Sequence, residues 1–142
     1  MPLPSREEIE KALEAETSQG IMELSSSVIK QQKNDILQRL QIARERLKYY
    51  HETLKRYRYI DNINDLVVGN YIRWLNLRDP TSLQLTNGAY IADFKETDTT
   101  IYIVCKTSFG RFFSVDVNTC LIFQKLNHQE ETILAVINYL EK

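Results

Sequence analysis

Large apolar residues recur at alternating steps of four and three through the first half of the chain: Ile36, Leu40, Ala43, Leu47, Tyr50, Leu54 and Tyr57. The 3.5-residue period predicts a helix with a continuous seam, with Leu40, Leu47 and Leu54 at heptad position a and Ile29, Ile36, Ala43, Tyr50 and Tyr57 at d. Ser26 and Lys33 fall on a in the N-terminal extension of the same register and weaken the seam there. A helix from about Met22 to Tyr59 would be roughly 60 Å long at about 1.5 Å per residue, more than a domain of this size covers with its own surface. The pattern therefore predicts a coiled-coil-like assembly helix over residues 21–61, with those seven seam residues as its oligomer interface. Leu37 at position e widens the stripe, and an ordinary amphipathic helix folded back on the chain is the competing reading.

Breakers divide the remainder. Ser5 with Glu8 three residues later forms a capping-box pattern ahead of Ile9, Ala12 and Leu13, so residues 1–20 predict a short acidic helix and linker stopped at Gly20. The run Asp61-Asn62-Ile63-Asn64-Asp65 competes with helical hydrogen bonding and predicts the end of the long helix. Beyond it the period becomes two. Val68, Ile72 and Trp74; Tyr90, Ala92 and Phe94; Ile101, Ile103 and Cys105; Phe113, Val115 and Val117; and Leu121 with Phe123 predict five short strands. Turn residues separate them at Asp79-Pro80, Asn87-Gly88, Glu96-Thr97-Asp98-Thr99, Ser108-Phe109-Gly110-Arg111 and Val117-Asn118-Thr119. Short strands joined by tight turns predict an antiparallel meander curled into a small barrel. Asn127, with Glu130 at the third position, caps a final helix whose stripe is Ile133, Ile137 and Leu140. The expected class is α+β: a long N-terminal helix, then a β-barrel domain with a C-terminal helix over residues 62–142.

Composition narrows the picture. At 142 residues and 43% hydrophobic content, the chain supports one domain plus an extension. Its purely apolar runs are too short for a membrane span. Met1-Pro2-Leu3-Pro4-Ser5 leads straight into Arg6-Glu7-Glu8 without the basic and apolar sections of a signal peptide, so an intracellular reducing compartment is expected. Cys105 and Cys120, both in predicted strands, then read as buried small hydrophobes. A net charge of −1 hides an asymmetry: residues 30–60 carry nine bases against three acids, whereas residues 1–29 and 61–142 are both acidic on balance. The predicted long helix is basic, which fits an acidic partner.

Candidate chemistry is sparse. His51 and His128 have no Cys or acidic partners at metal-ligand spacing, and the four glycines are too dispersed for a phosphate-cradling loop. Ser27-Val28-Ile29-Lys30 satisfies Ser-x-x-Lys, but so short a match in so small a chain reads as chance. Asp93, Glu96, Asp98 and Asp116 read as solvated strand and turn acids. No catalytic residue, metal, cofactor or small-molecule substrate is assigned. Two binding readings stay open. Arg44, Lys48, Lys55, Arg56 and Arg58, interleaved with tyrosines, could contact an acidic protein or the phosphates of a nucleic acid. Tyr71, Trp74, Tyr90 and Tyr102 could form a cage for a methylated cation, against which stands plain core packing.

Residues 66–126 carry a resemblance. Val68-Gly69-Asn70-Tyr71-Ile72-Arg73-Trp74, the Gly-led strand from Gly88, the turn at Gly110 and Ile122-Phe123-Gln124-Lys125-Leu126 ahead of a helix resemble SH3-like or Tudor-like barrels. The same stretch is similar to short domains in small virion-associated proteins of large eukaryotic double-stranded DNA viruses, where helical segments join such modules. That resemblance implies a minor capsid or virion-associated component, located in the virion. It transfers no binding residue. The expected role is a non-enzymatic structural or interaction protein that self-associates or binds another protein through the helix and docks through the β domain. A nucleic-acid-binding accessory protein using the basic, Tyr-rich helix is the alternative.

Overall fold

A computed structural model describes residues 25–78 and 83–140, and these divide into two compact units. The short acidic helix expected in residues 1–20 lies outside the described residues, as does the turn at Asp79-Pro80.

One unit holds helices α1 (Ser26–Gln38), α2 (Arg44–Thr53) and α3 (His128–Leu140). Ser25 starts α1 from an extended backbone, its Oγ accepting the Val28 N–H at 3.3 Å. The buried stripe of α1 is Ile29, Lys33 and Leu37, at steps of four. Ile29 packs with Ile133 and Leu134 of α3, with Leu126 and Ile137 alongside. Asn138 bridges the same two helices, its Oδ1 accepting the Ser26 N–H at 3.4 Å and its Nδ2 donating to Ser26 Oγ at 2.7 Å. The N-terminus of α3 is the reciprocal pair the sequence predicts: Asn127 Oδ1 accepts the Glu130 N–H at 2.8 Å and Glu130 Oε1 accepts the Asn127 N–H at 3.1 Å. Its apolar face is Ile133, Leu134 and Ile137; Leu140, expected in that stripe, is 74% exposed.

The long helix predicted over residues 21–61 does not form. After Gln38 the chain tightens into a turn, with Leu40 N–H donating to Leu37 O and Gln41 N–H to Gln38 O, and Gln41 takes a left-handed φ of 53°. A new helix then begins at Arg44 and ends at Thr53, and Tyr57 already belongs to a strand. The 4-3 spacing is common to any amphipathic helix and carries no information on continuity. Tyr57-Arg58-Tyr59-Ile60 is rich in aromatic and β-branched side chains, which a pleated surface accommodates better than a helix.

The other unit, residues 54–125, is a six-stranded antiparallel sheet. Its strands are β1 (Tyr57–Ile60), β2 (Tyr71–Asn76), β3 (Ala89–Glu96), β4 (Ile101–Lys106), β5 (Phe112–Asp116) and β6 (Cys120–Lys125). They lie in the order β1-β6-β2-β3-β4-β5, so β1 and β5 are the unpaired ends and the expected SH3-like barrel starting at residue 62 is replaced by an open sheet starting at Tyr57. One face carries the core: Ile72, Trp74, Ile91, Ile103, Cys105, Val115 and Ile122 all belong to a single buried cluster. Trp74 and Phe113, from strands that are not neighbours in the sheet, meet at 5.5 Å between ring centroids, so the sheet curls around this cluster.

Two backbone details fix the strand faces. The β3–β4 register shifts between Ile91 and Asp93, so Ala92 is an extra residue: Ala89 and Ile91 face the core before the bulge and Phe94 after it. The expected set Tyr90, Ala92 and Phe94 therefore does not share a face. Gly88 enters β3 at φ +94°, and a Cβ there would sit 2.5 Å from Ile72 O. Only glycine lets the chain pass this close to β2. Gln124 is 1% exposed on the core face. Its Oε1 accepts the Val67 N–H at 3.0 Å and its Nε2 donates to Asp65 O at 2.9 Å, tying the 3-10 turn Ile63–Asp65 to β6.

Candidate functional site

The predicted seam is distributed rather than assembled. Ile36 lies half-buried on α1, Leu40 in the turn after it, Ala43 exposed before α2, and Leu47 half-buried on α2. Tyr50 on α2, Leu54 just beyond it and Tyr57 on β1 are buried. The seven residues are thus spread over two helices, the segments after α1 and α2, and a strand instead of one continuous helix.

The basic set divides as well. Arg44 and Lys48 are exposed on α2, joined by Arg46, and Lys55 and Arg56 are exposed in the turn that follows. Arg58 is different: it stands on β1 opposite Gln124 and is 3% exposed. Of the interleaved tyrosines, Tyr49 is 59% exposed while Tyr50 and Tyr57 are buried. Burial raises the Tyr57 hydroxyl above its ordinary pKa, against the opposing pull of Arg73. What remains outside is a cationic stretch with one available ring and two acids, Glu45 and Glu52.

Burial also governs the titratable groups of the helical unit. Lys33, 5% exposed, has its ammonium pKa lowered to about 8, first by desolvation and then by the charge of Lys30. His51 is lowered for the same first reason, with Lys33 adding to it.

The sheet unit contains a cleft of about 510 Å³ between the β1 end, the β3–β4 turn and the β5–β6 turn. Its apolar floor includes Ile60, Ile63 and Ile122, and its rim carries Asp61, Glu96 and Asp98. Cys120 lies in its lining, its thiol pKa raised chiefly by burial. Cys105, fully buried in the core, is pushed up to about 11 by the same effect. Both thiols are thereby held in the protonated, poorly nucleophilic form near neutral pH. Of the four strand and turn acids, only Glu96 and Asp98 come together here. Asp93 Oδ1 accepts the N–H of its own neighbour Phe94 at 2.8 Å. Asp116 Oδ1 accepts from Thr100 Oγ1 at 2.6 Å and from the Asn118 N–H at 2.9 Å, and its Oδ2 lies 3.4 Å from Arg78. The Thr100 and Asn118 bonds, with Arg78 adding, hold that carboxyl below its ordinary pKa; this is a turn-locking device. Among the described residues no group of three or more His, Cys, Asp or Glu side chains could hold a metal ion.

The outer face of the sheet brings together residues that sequence spacing separates. Tyr71 pairs with Tyr90, Tyr90 with Lys106, and Lys106 with Phe112, so one row crosses β2, β3, β4 and β5. Tyr71 and Tyr90 meet edge to face at 4.9 Å, and Lys106 Nζ stands 5.6 Å from the Phe112 ring centroid. The predicted four-aromatic cage is not formed, because Trp74 turns to the core while Tyr71 and Tyr90 face outward. Lys106 and Phe112 carry no local signal of this role, since only strand register makes them neighbours.

No family model, curated protein or solved structure matches the chain. Among the described residues no helix is long and apolar enough to cross a membrane.

Proposed function

We propose that the protein is a non-enzymatic interaction protein that docks an acidic protein partner through the α2 segment. The carrying observation is that Arg44, Arg46 and Lys48 are all exposed on one short helix whose Tyr50 is buried. A single surface ion pair contributes little, about 0–1 kcal/mol. Several like charges on one short helix act jointly on an approaching acidic surface and steer its encounter, with a screening length of roughly 8 Å at physiological salt. The α2 backbone fixes the spacing of Arg44, Arg46 and Lys48. Self-assembly through a continuous leucine seam forms no part of this reading. Membership of a virion-associated assembly rests on the sequence resemblance alone.

The test is zero-length carboxyl-to-amine cross-linking of the chain in its native source, followed by peptide mapping. The expected products join Lys48 or Lys55 to Asp or Glu of one partner protein. A variant with Arg44, Arg46 and Lys48 all changed to glutamine should keep its circular dichroism and lose that partner. Equal recovery of the partner by the glutamine variant would refute the proposal.

A further inference from the structure

We infer that the outer face of the sheet is a binding platform for single-stranded nucleic acid, laid across β3, β4 and β5. This goes beyond the α2 docking surface and uses none of its residues. Sequence-neutral recognition of single strands needs exposed aromatic faces for base stacking and cations between them for the phosphates. The row Tyr90, Lys106, Phe112 has that composition in that order. Tyr90 is 47% and Phe112 63% exposed, which is unusual for rings of this size in strands whose opposite-face positions, Ile91 and Val115, are almost fully buried.

The geometry prepares the rings. The Tyr71 hydroxyl donates to Asn87 O at 2.7 Å, which fixes its ring, and that ring in turn meets Tyr90 edge to face, while Tyr90 itself stays 47% exposed. Neighbouring strands lie about 4.8 Å apart, so Tyr90 and Phe112, two strands apart, stand roughly 10 Å from each other with the Lys106 ammonium between. In the β4–β5 turn next to this row, Phe109 is 92% exposed and Arg111 is exposed too. Lys125 is exposed at the end of β6, one residue beyond the Ile72 and Gln124 pair and therefore level with Tyr71. Lys106 and Lys125 outnumber Asp93, the nearest acid on this face, whose Oδ1 is engaged by the Phe94 N–H. Exposed rings with local positive charge complement a polyanion carrying stackable bases.

The test is fluorescence anisotropy of the full chain with labelled oligo(dT) and oligo(U) of about 15 nucleotides, a length matched to the upper range for one small β module. Saturable binding at about 0.05 M salt is expected, with log affinity falling against log salt at a slope of about −1.4, as two phosphate contacts on a single strand require. Tyr90→Ala and Phe112→Ala should each weaken binding by roughly 5-fold to 100-fold, while Tyr90→Phe and Phe112→Tyr, which keep the ring, should stay within about 3-fold. The α2 glutamine variant should bind as the parent does. Tighter binding of oligo(U) than oligo(dT) assigns RNA, and the reverse assigns DNA. Absence of saturable binding, a preference for duplex of the same length, or loss of binding in the α2 variant but not in the two alanine variants would each overturn the inference.

Discussion

Replacing Gln41 by glycine distinguishes a broken helix from a continuous one, because the two conformations give the substitution opposite signs. Gln41 is exposed and sits at φ 53°, so its side chain contributes little packing and its backbone carries the cost of a left-handed conformation. That cost is about 1–2 kcal/mol for a residue with a Cβ and close to nothing for glycine. Glycine loses more conformational freedom on folding, which takes back about 0.5–1 kcal/mol. The net expectation is that Gln41→Gly stabilises by about 0.5–1 kcal/mol, whereas Gln41→Ala, which keeps the Cβ, stays near wild type. In a continuous helix alanine would instead exceed glycine by about 1 kcal/mol. The gap between the two variants therefore spans about 2 kcal/mol across the two structures. Urea and thermal unfolding followed by circular dichroism resolve it, at about 4 °C of Tm per kcal/mol for a chain of this size. An alanine variant more stable than the glycine variant would show that α1 and α2 are one helix.

Gly88→Ala should be the most damaging single methyl addition in the sheet unit, costing more than about 2 kcal/mol, because it combines a positive φ with a Cβ 2.5 Å from Ile72 O; a urea midpoint near wild type would refute this. Gln124→Met should cost about 1–3 kcal/mol by stranding the Val67 N–H and Asp65 O, and hydrogen exchange at Val67 should accelerate; unchanged protection there would show that the amide does not hold the turn. Lys33 titrates near pH 8 when folded against 10.5 in the free side chain, so between those values the unfolded chain holds the proton more tightly. Its contribution to stability should therefore rise as pH goes from about 8 to 10.5 and level off above, a slope seen as the difference between wild type and Lys33→Met. A pH-independent difference would show that the ammonium is not desolvated.

Legibility in the sequence followed the range of the interactions. The capping box at Asn127 and Glu130 and the turn at Gly110 depend on residues three or four apart, and both stand where spacing placed them. The alternation of Ile72 with Trp74 and of Ile103 with Cys105 was readable because each strand buries one face. Three features were not readable. The break at Gln41 contains no glycine or proline, so nothing local announced it. The bulge at Ala92 shifts the phase of β3 inside an apparently regular alternation, and only pairing with β4 reveals it. Gln124 is a polar side chain buried at a position that polarity assigns to solvent, rewarded by two backbone partners far away in sequence. The aromatic row is the same kind of object. Tyr71 and Tyr90 stood out singly, but Lys106 and Phe112 join them only through three strand registers.

The contrast between α2 and the sheet explains why an aromatic and cationic composition serves stacking in one place and not in the other. On a helix, residues three or four apart share a face, so Tyr50, in step with Leu47 and Leu54, follows the apolar stripe inward and leaves the cations of α2 with the single exposed ring of Tyr49. On a strand, adjacent residues take opposite faces, so Ile91 can be buried while Tyr90 remains outside, and Cys105 can be buried while Lys106 remains outside. Core formation and surface display then cease to compete. Lateral pairing finally places rings and ammonium groups from different strands side by side at the sheet spacing, which one helix turn cannot do once its aromatic residues are needed in the core.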